Sequence, residues 1–212
     1  MKTVNADTKG ISGALEFTSG ASTSGNSGEI KLTTGTGVLG KSGDITLNVG
    51  SGNTGTGGLV GITAGTTTAG SGVGGAITLT SGDSNDGNTG AIDLITDAGA
   101  AVTGAIGLTT GDSTGADSGT LTLETGASTT GGKGGALTLS VGNAQTGAGG
   151  GIQATAGQTS GGAQGGFVRI NGGVSAPNGG QGGYISLVSG AGTARSSGKI
   201  VVKTVNAGTK GI

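Results

Sequence analysis

Large aliphatic residues along this chain come in pairs two positions apart, vanish for about ten residues, and then return. The pairs sit inside a unit of the form Gly-x-(Ile/Leu/Val)-x-(Leu/Ile)-x-x-Gly. Its first glycines are Gly13, Gly28, Gly43, Gly58, Gly75, Gly90, Gly104, Gly119, Gly135, Gly150, Gly166, Gly183 and Gly198. The steps between them are 15, 15, 15, 17, 15, 14, 15, 16, 15, 16, 17 and 15 residues. Position 3 of the unit carries residues such as Leu15, Ile30, Ile45, Ile77 and Ile185. Position 5 carries Phe17, Leu32, Leu47, Leu79 and Leu187, and only Ala154 breaks the large-apolar rule there. Position 8 is Gly in eleven of thirteen units, with Asp97 and Val205 as the exceptions.

Apolar residues two apart and flanked by polar ones are the alternation of a half-buried strand. Positions 3, 5 and 7 then face one way and positions 2, 4 and 6 the other. The glycines at positions 1 and 8 bracket the segment with turn-forming residues. The rest of each unit is Gly, Ser, Thr, Asn and Ala, and the variation in unit length falls there, as insertions in loops do. No stretch shows helical i, i+3, i+4 spacing, so no helix is expected. One unit cannot bury its own Ile and Leu, but stacked units can. The pattern therefore predicts an all-β fold, a narrow β-solenoid of about thirteen stacked 15–16-residue rungs, roughly 60 Å long at strand spacing. A multi-chain β fibre or a set of paired sheets is the alternative.

A second, longer period is superimposed. Residues 2–11 read KTVNADTKGI and residues 203–212 read KTVNAGTKGI, an offset of 201 residues. A step of 16 after Gly198 would complete the same 201, so thirteen short units make one long one. The chain divides accordingly into a repeated junction segment (1–12), twelve rungs (13–197), and a final rung carrying the second junction copy (198–212). An open β-stack exposes unpaired backbone at each end, and solenoids usually cap their ends with atypical polar repeats. No cap is evident here. The expected partner is a further copy of the chain, stacked head to tail or packed laterally. Lys2, Val4 and Ile11 at one end, and Lys203, Val205 and Ile212 at the other, form the expected assembly junction.

Composition closes off most chemistry. There is no His and no Cys, so imidazole–metal, thiolate and Ser-His mechanisms are absent. Eleven acidic residues are scattered over loops. Asp93 and Asp97 share a unit, but Asp97 replaces a turn glycine, a natural place for Asp. The calcium-binding pattern GGxGxDxUx does not occur. The glycine-rich run from Gly70 to Gly75 lacks the βαβ context of a nucleotide site. No enzyme activity, cofactor or metal is expected. A net charge of −1 gives no electrostatic footprint for nucleic acid. No apolar run is long enough for a membrane span, and MKTVNADTKG has no apolar core of a signal peptide. One Pro among 55 Gly excludes collagen, and 1% aromatics excludes an ordinary globular core.

Units such as GEIKLTTG, GDITLNVG, GAITLTSG and GTLTLETG resemble the Gly/Thr/Ser-rich β-solenoid repeats of very large surface proteins, including adhesins and viral fibres. That resemblance covers nearly the whole chain and implies an extended structural rod, stalk or filament at a cell or virion surface. Two other functions are open. Thr18, Thr33, Thr63, Thr80 and Thr109 at position 6, with Thr78 at position 4, form a candidate ice-binding face. Thr is also an ordinary solvated strand residue, and Glu16, Lys31 and Asp93 interrupt that face. Phe167 and Tyr184, both at position 2 of neighbouring units and with Arg169 nearby, are a candidate glycan contact of an adhesin stalk. Lateral packing is the plainer reading of that pair.

Overall fold

The computed structural model describes residues 2–6, 10–176 and 180–205. By internal contact the chain falls into two bodies, Met1–Gly107 and Leu108–Ile212, each built from the same repeats.

The expected β-solenoid does not form, and neither do the paired sheets of the alternative. The described residues contain no β-strand and no helix. The hydrogen bonds show why. Rungs of a solenoid would pair residues 14 to 17 positions apart all along each segment. The backbone bonds among the described residues instead join positions ten or fewer apart. Gly75 N donates to Gly65 O at 2.8 Å, Gly90 N to Gly82 O at 2.9 Å, and Gly166 N to Gly157 O at 2.9 Å. Gly135 N to Gly126 O, Gly183 N to Gly173 O and Gly198 N to Gly190 O repeat the arrangement. In each case the donor is position 1 of one repeat and the acceptor is position 8 of the repeat before.

This closure is incompatible with winding. In a solenoid, position 1 of each rung stacks on position 1 of its neighbour, a strand length of roughly 23 Å from position 8. Here position 1 meets position 8 directly. The polar half of each repeat is therefore a closed loop whose two ends touch, in the manner of an Ω-loop. The next apolar segment begins where the last one ended.

Close approach is what demands glycine at position 1. A Cβ built on Gly58 would lie 2.6 Å from Val49 Cγ1, and one on Gly150 would lie 2.7 Å from Val141 Cγ1. Val49 and Val141 both occupy position 7 of the preceding repeat. Gly28, Gly43, Gly90, Gly119 and Gly135 face Ser19, Thr34, Ser81, Thr110 and Thr125 in the same way. Within the loops, Leu39 takes a left-handed φ of 66° in a turn between Gly37 and Gly40, a region that favours Gly or Asn. Lys41 Nζ reaches Asp44 at 2.9 Å across the end of that loop. Both side chains are well exposed, so the pair adds little to stability.

The period-two pattern survives as a pattern of exposure. Val49 and Val141 at position 7 are 43% and 45% exposed. Position 3 ranges from 48% at Leu15 to 64% at Ile152. Leu59, Ile95, Phe167, Tyr184 and Val188, at positions 2 and 6, range from 74% to 88%. Positions 3 and 7 are thus the more covered, whereas position 5, from 57% at Leu108 to 89% at Val202, overlaps positions 2 and 6. The odd face is only half covered, however, and no hydrophobic residue among those described is buried. The total accessible surface is 21031 Å², against roughly 8500 Å² for a compact protein of this mass. The Ile/Leu ladder expected as a core is therefore a surface.

Gly172 offers a test of the closure. A Cβ there would run into the carbonyl of Gly183, 2.9 Å from its carbon, beside the Gly183 N to Gly173 O bond. Gly172→Ala should break that bond and speed amide exchange at Gly183 about five- to tenfold, the loss of a hydrogen bond worth roughly 1 kcal/mol. Gly20→Ala, with nothing within 4 Å of the added carbon, should leave the exchange pattern unchanged. Hydrogen exchange followed by NMR measures both.

Candidate functional site

The most developed surface feature is the odd face itself. In the first body, a concavity of about 450 Å³ is lined by Phe17, Ile30, Lys31, Leu32 and Leu47. These residues come from three consecutive repeats: Phe17 from the first, Ile30, Lys31 and Leu32 from the second, Leu47 from the third. The four apolar members occupy positions 3 and 5. Closed loops make this possible, because they remove the polar half of each repeat from the path between one apolar segment and the next. Lys31 is the only charged group on the wall, and it stands at an even position.

Charge is partitioned by the same alternation. Glu29, Asp44 and Lys199 stand at position 2. Glu16, Lys31, Asp93 and Arg169 stand at position 4, and Glu124 and Lys203 at position 6. No ionisable residue occupies position 3, 5 or 7 of any repeat. The odd face is consequently a neutral, apolar strip, and the even face carries the charges and most of the threonines.

The aromatic candidates lie on the even face. The Arg169 guanidinium sits over the Phe167 ring, 4.7 Å from its centroid. Positions 2 and 4 of one repeat share a face, so the stacking follows from their spacing. An exposed cation–π pair of this kind contributes about 0.5–1 kcal/mol. It also occupies one side of the ring. Tyr184 is 88% exposed, and nothing among the described contacts brings it against Phe167. The structure places Arg169 over Phe167.

Thr18, Thr33, Thr63, Thr78, Thr80 and Thr109 are all exposed. They come from six positions in five repeats, and only Thr78 and Thr80 share one. Among the junction residues, Lys2, Val4 and Ile11 are exposed in the first body, and Lys203 and Val205 in the second. Lys2 to Asn5 line an open hollow of about 430 Å³. Ile212 lies outside the described residues.

The acidic and glycine-rich candidates have local duties. Asp97 Oδ1 accepts a hydrogen bond from Ala98 N at 2.7 Å, and Asp83 Oδ1 one from Ser84 N at 2.8 Å. Both carboxylates thus bond the amide of the residue that follows them. In the run from Gly70 to Gly75, Gly72 N donates to Ala69 O and Gly75 N to Gly65 O. Those two amides are used within the chain. No group of three or more His, Cys, Asp or Glu that could hold a metal occurs among the described residues. No helix among them is long and apolar enough to cross a membrane.

What sequence reasoning missed is that the odd face is a surface. Residues such as Leu32 and Leu79 read identically whether their cover comes from their own chain or from elsewhere, so no local signal could have separated the two.

Tyr184 is the only Tyr and there is no Trp, which makes its fluorescence a clean reporter. Its quenching by acrylamide should approach that of free tyrosine amide. Strong protection would show the even face to be covered at that point.

No protein-family model matches this chain, and neither the curated proteins nor the solved structures contain a match to it.

Proposed function

We propose that this chain is a non-catalytic structural repeat segment, part of a stalk, rod or filament at a cell or virion surface, and that copies join head to tail. One observation carries the reading: the same closure recurs along the chain. At repeat after repeat, a glycine at position 1 packs on position 7 or 8 of the repeat before, with a backbone bond at six of these sites. Such construction suits a spacer, because every repeat performs the same mechanical task and none carries a distinctive chemical group.

The role of the ends rests on the decapeptide pair. The segment Lys2–Ile11 recurs as Lys203–Ile212 after 201 residues, so a copy that continues the period places equivalent residues at equivalent points. Lys2, Val4 and Ile11 with Lys203, Val205 and Ile212 are the residues assigned to this junction. The absence of His and Cys from the sequence removes the commonest nucleophiles and bases, and it supports the non-catalytic reading.

Electron microscopy of the purified chain tests the proposal. Elongated particles are expected, with lengths clustering at multiples of one copy. Removing residues 203–212 should collapse that distribution to single-copy lengths. Round or shapeless particles would sink the structural reading, and an unchanged distribution in the shortened chain would remove the junction.

A further inference from the structure

The odd face poses a problem that the isolated chain leaves unsolved. Its position-3 and position-5 side chains are half or more exposed, yet they recur in every repeat with a size and spacing suited to packing. Repeats of the same chain cover them only in part: side chains of three repeats converge around Leu32, yet none of those described is buried. We infer that the position-3 and position-5 face is a homotypic docking surface, covered by the equivalent face of a second copy of this chain lying alongside the first. This inference rests on the structural reading above and adds the surface through which copies meet side by side.

Three observations favour a second copy over another occupant. The first is area. If each of these side chains can lose on the order of 80 Å² on burial, the six or so repeats of one body offer on the order of 1000 Å² per copy. That exceeds both the roughly 800 Å² per partner of a standard specific interface and the ~300–600 Å² of the largest apolar patch on a typical monomer.

The second is charge. No ionisable residue stands at position 3, 5 or 7, so two such faces meet without like-charge repulsion. The chain as a whole carries only −1. A partner recognised by charge would find only Lys31, at the wall of one concavity, to recognise.

The third is shape. The concavity lined by Phe17, Ile30, Leu32 and Leu47 has an apolar wall drawn from three repeats. The side chains that would fill it, Ile and Leu at regular intervals on a narrow neutral strip, are those the chain itself presents.

The chain has no cysteine, so a single introduced thiol reports on one site. Leu32→Cys places it on the odd face and Thr33→Cys on the even face one residue away. Each variant is measured as the full chain, by sedimentation equilibrium for mass and by reaction with a small aromatic disulfide for thiol access. The expected result is a mass that is an integer multiple of one copy. The thiol at 32 should react at least about tenfold more slowly than the thiol at 33, because covering excludes the reagent from a thiolate. Dilution to the monomer should equalise the rates.

A single-copy mass at high concentration would overturn the inference, whether the two thiols then react alike or not. A multiple mass with both thiols equally reactive would also overturn it, because association would then run through another surface. Particle lengths and the effect of removing residues 203–212 are read separately, so failure of the lateral face and failure of the structural reading give different results.

Discussion

The contact between a position-1 glycine and the end of the preceding repeat is the constraint on which the rest of the structure depends. It draws the two ends of every polar loop together. At Gly58 and Gly150 the approach is so close that a methyl group would overlap a valine side chain. At Gly28, Gly43, Gly90 and Gly119 the facing residue is Ser or Thr at ordinary van der Waals separation, while Gly135 lies closer, 3.1 Å from Thr125 Cβ. Glycine at position 1 is thus required sterically at some repeats and merely compatible at others. The backbone bond to position 8 follows from the same approach, and with it the ordering of loops that otherwise have little to bury. Small loops of eight to ten residues can close at modest entropic cost, which is why one hydrogen bond and one side-chain contact suffice locally.

That economy has a consequence for the apolar residues. The backbone bond that closes each loop joins position 1 of one repeat to position 8 of the one before, and no strand ladder forms among the described residues. Successive apolar segments meet at the closed end of each loop, and side chains of three consecutive repeats come together around Leu32 without forming a strand ladder. Without a ladder there is no second layer, and Ile and Leu remain half exposed. Ordering each residue costs on the order of 1 kcal/mol or more, and half-covered side chains recover only part of their burial free energy. A single copy is poorly compensated on this account. The interactions that would compensate it lie on the odd face, which is neutral and apolar and repeats along the chain.

Much of this was legible in the sequence, and the boundary of legibility is physical. The alternation read as strands yields none among the described residues, and Asp97 bonds only the amide of its neighbour Ala98. The segregation of Phe167 and Arg169 onto one face follows from their i, i+2 spacing. The path of the chain after each loop was not legible. Glycines at positions 1 and 8 read as turn residues bracketing a strand, and that description fits both a winding solenoid and a loop that closes on itself. The two differ only in which distant atoms the glycine touches. The cover over Leu32 or Ile77 was equally hidden, since a side chain that needs burial does not specify which chain supplies it.

Closed loops also explain how the repeats tolerate unequal lengths. Steps of 14 to 17 residues would shift the register of a wound solenoid, where each added residue has to be absorbed in the circumference. Here an added residue enlarges a loop whose ends remain fixed by the position-1 contact. The spacing of the apolar segments is then independent of loop length. Loops of different size, such as those closing at Gly75 and Gly90, ten and eight residues from their acceptors, serve the same apolar pattern. Loop chemistry can therefore vary freely while the odd face keeps its period. That separation keeps the apolar positions 3 and 5 constant in type while the polar part of each repeat varies in length and sequence.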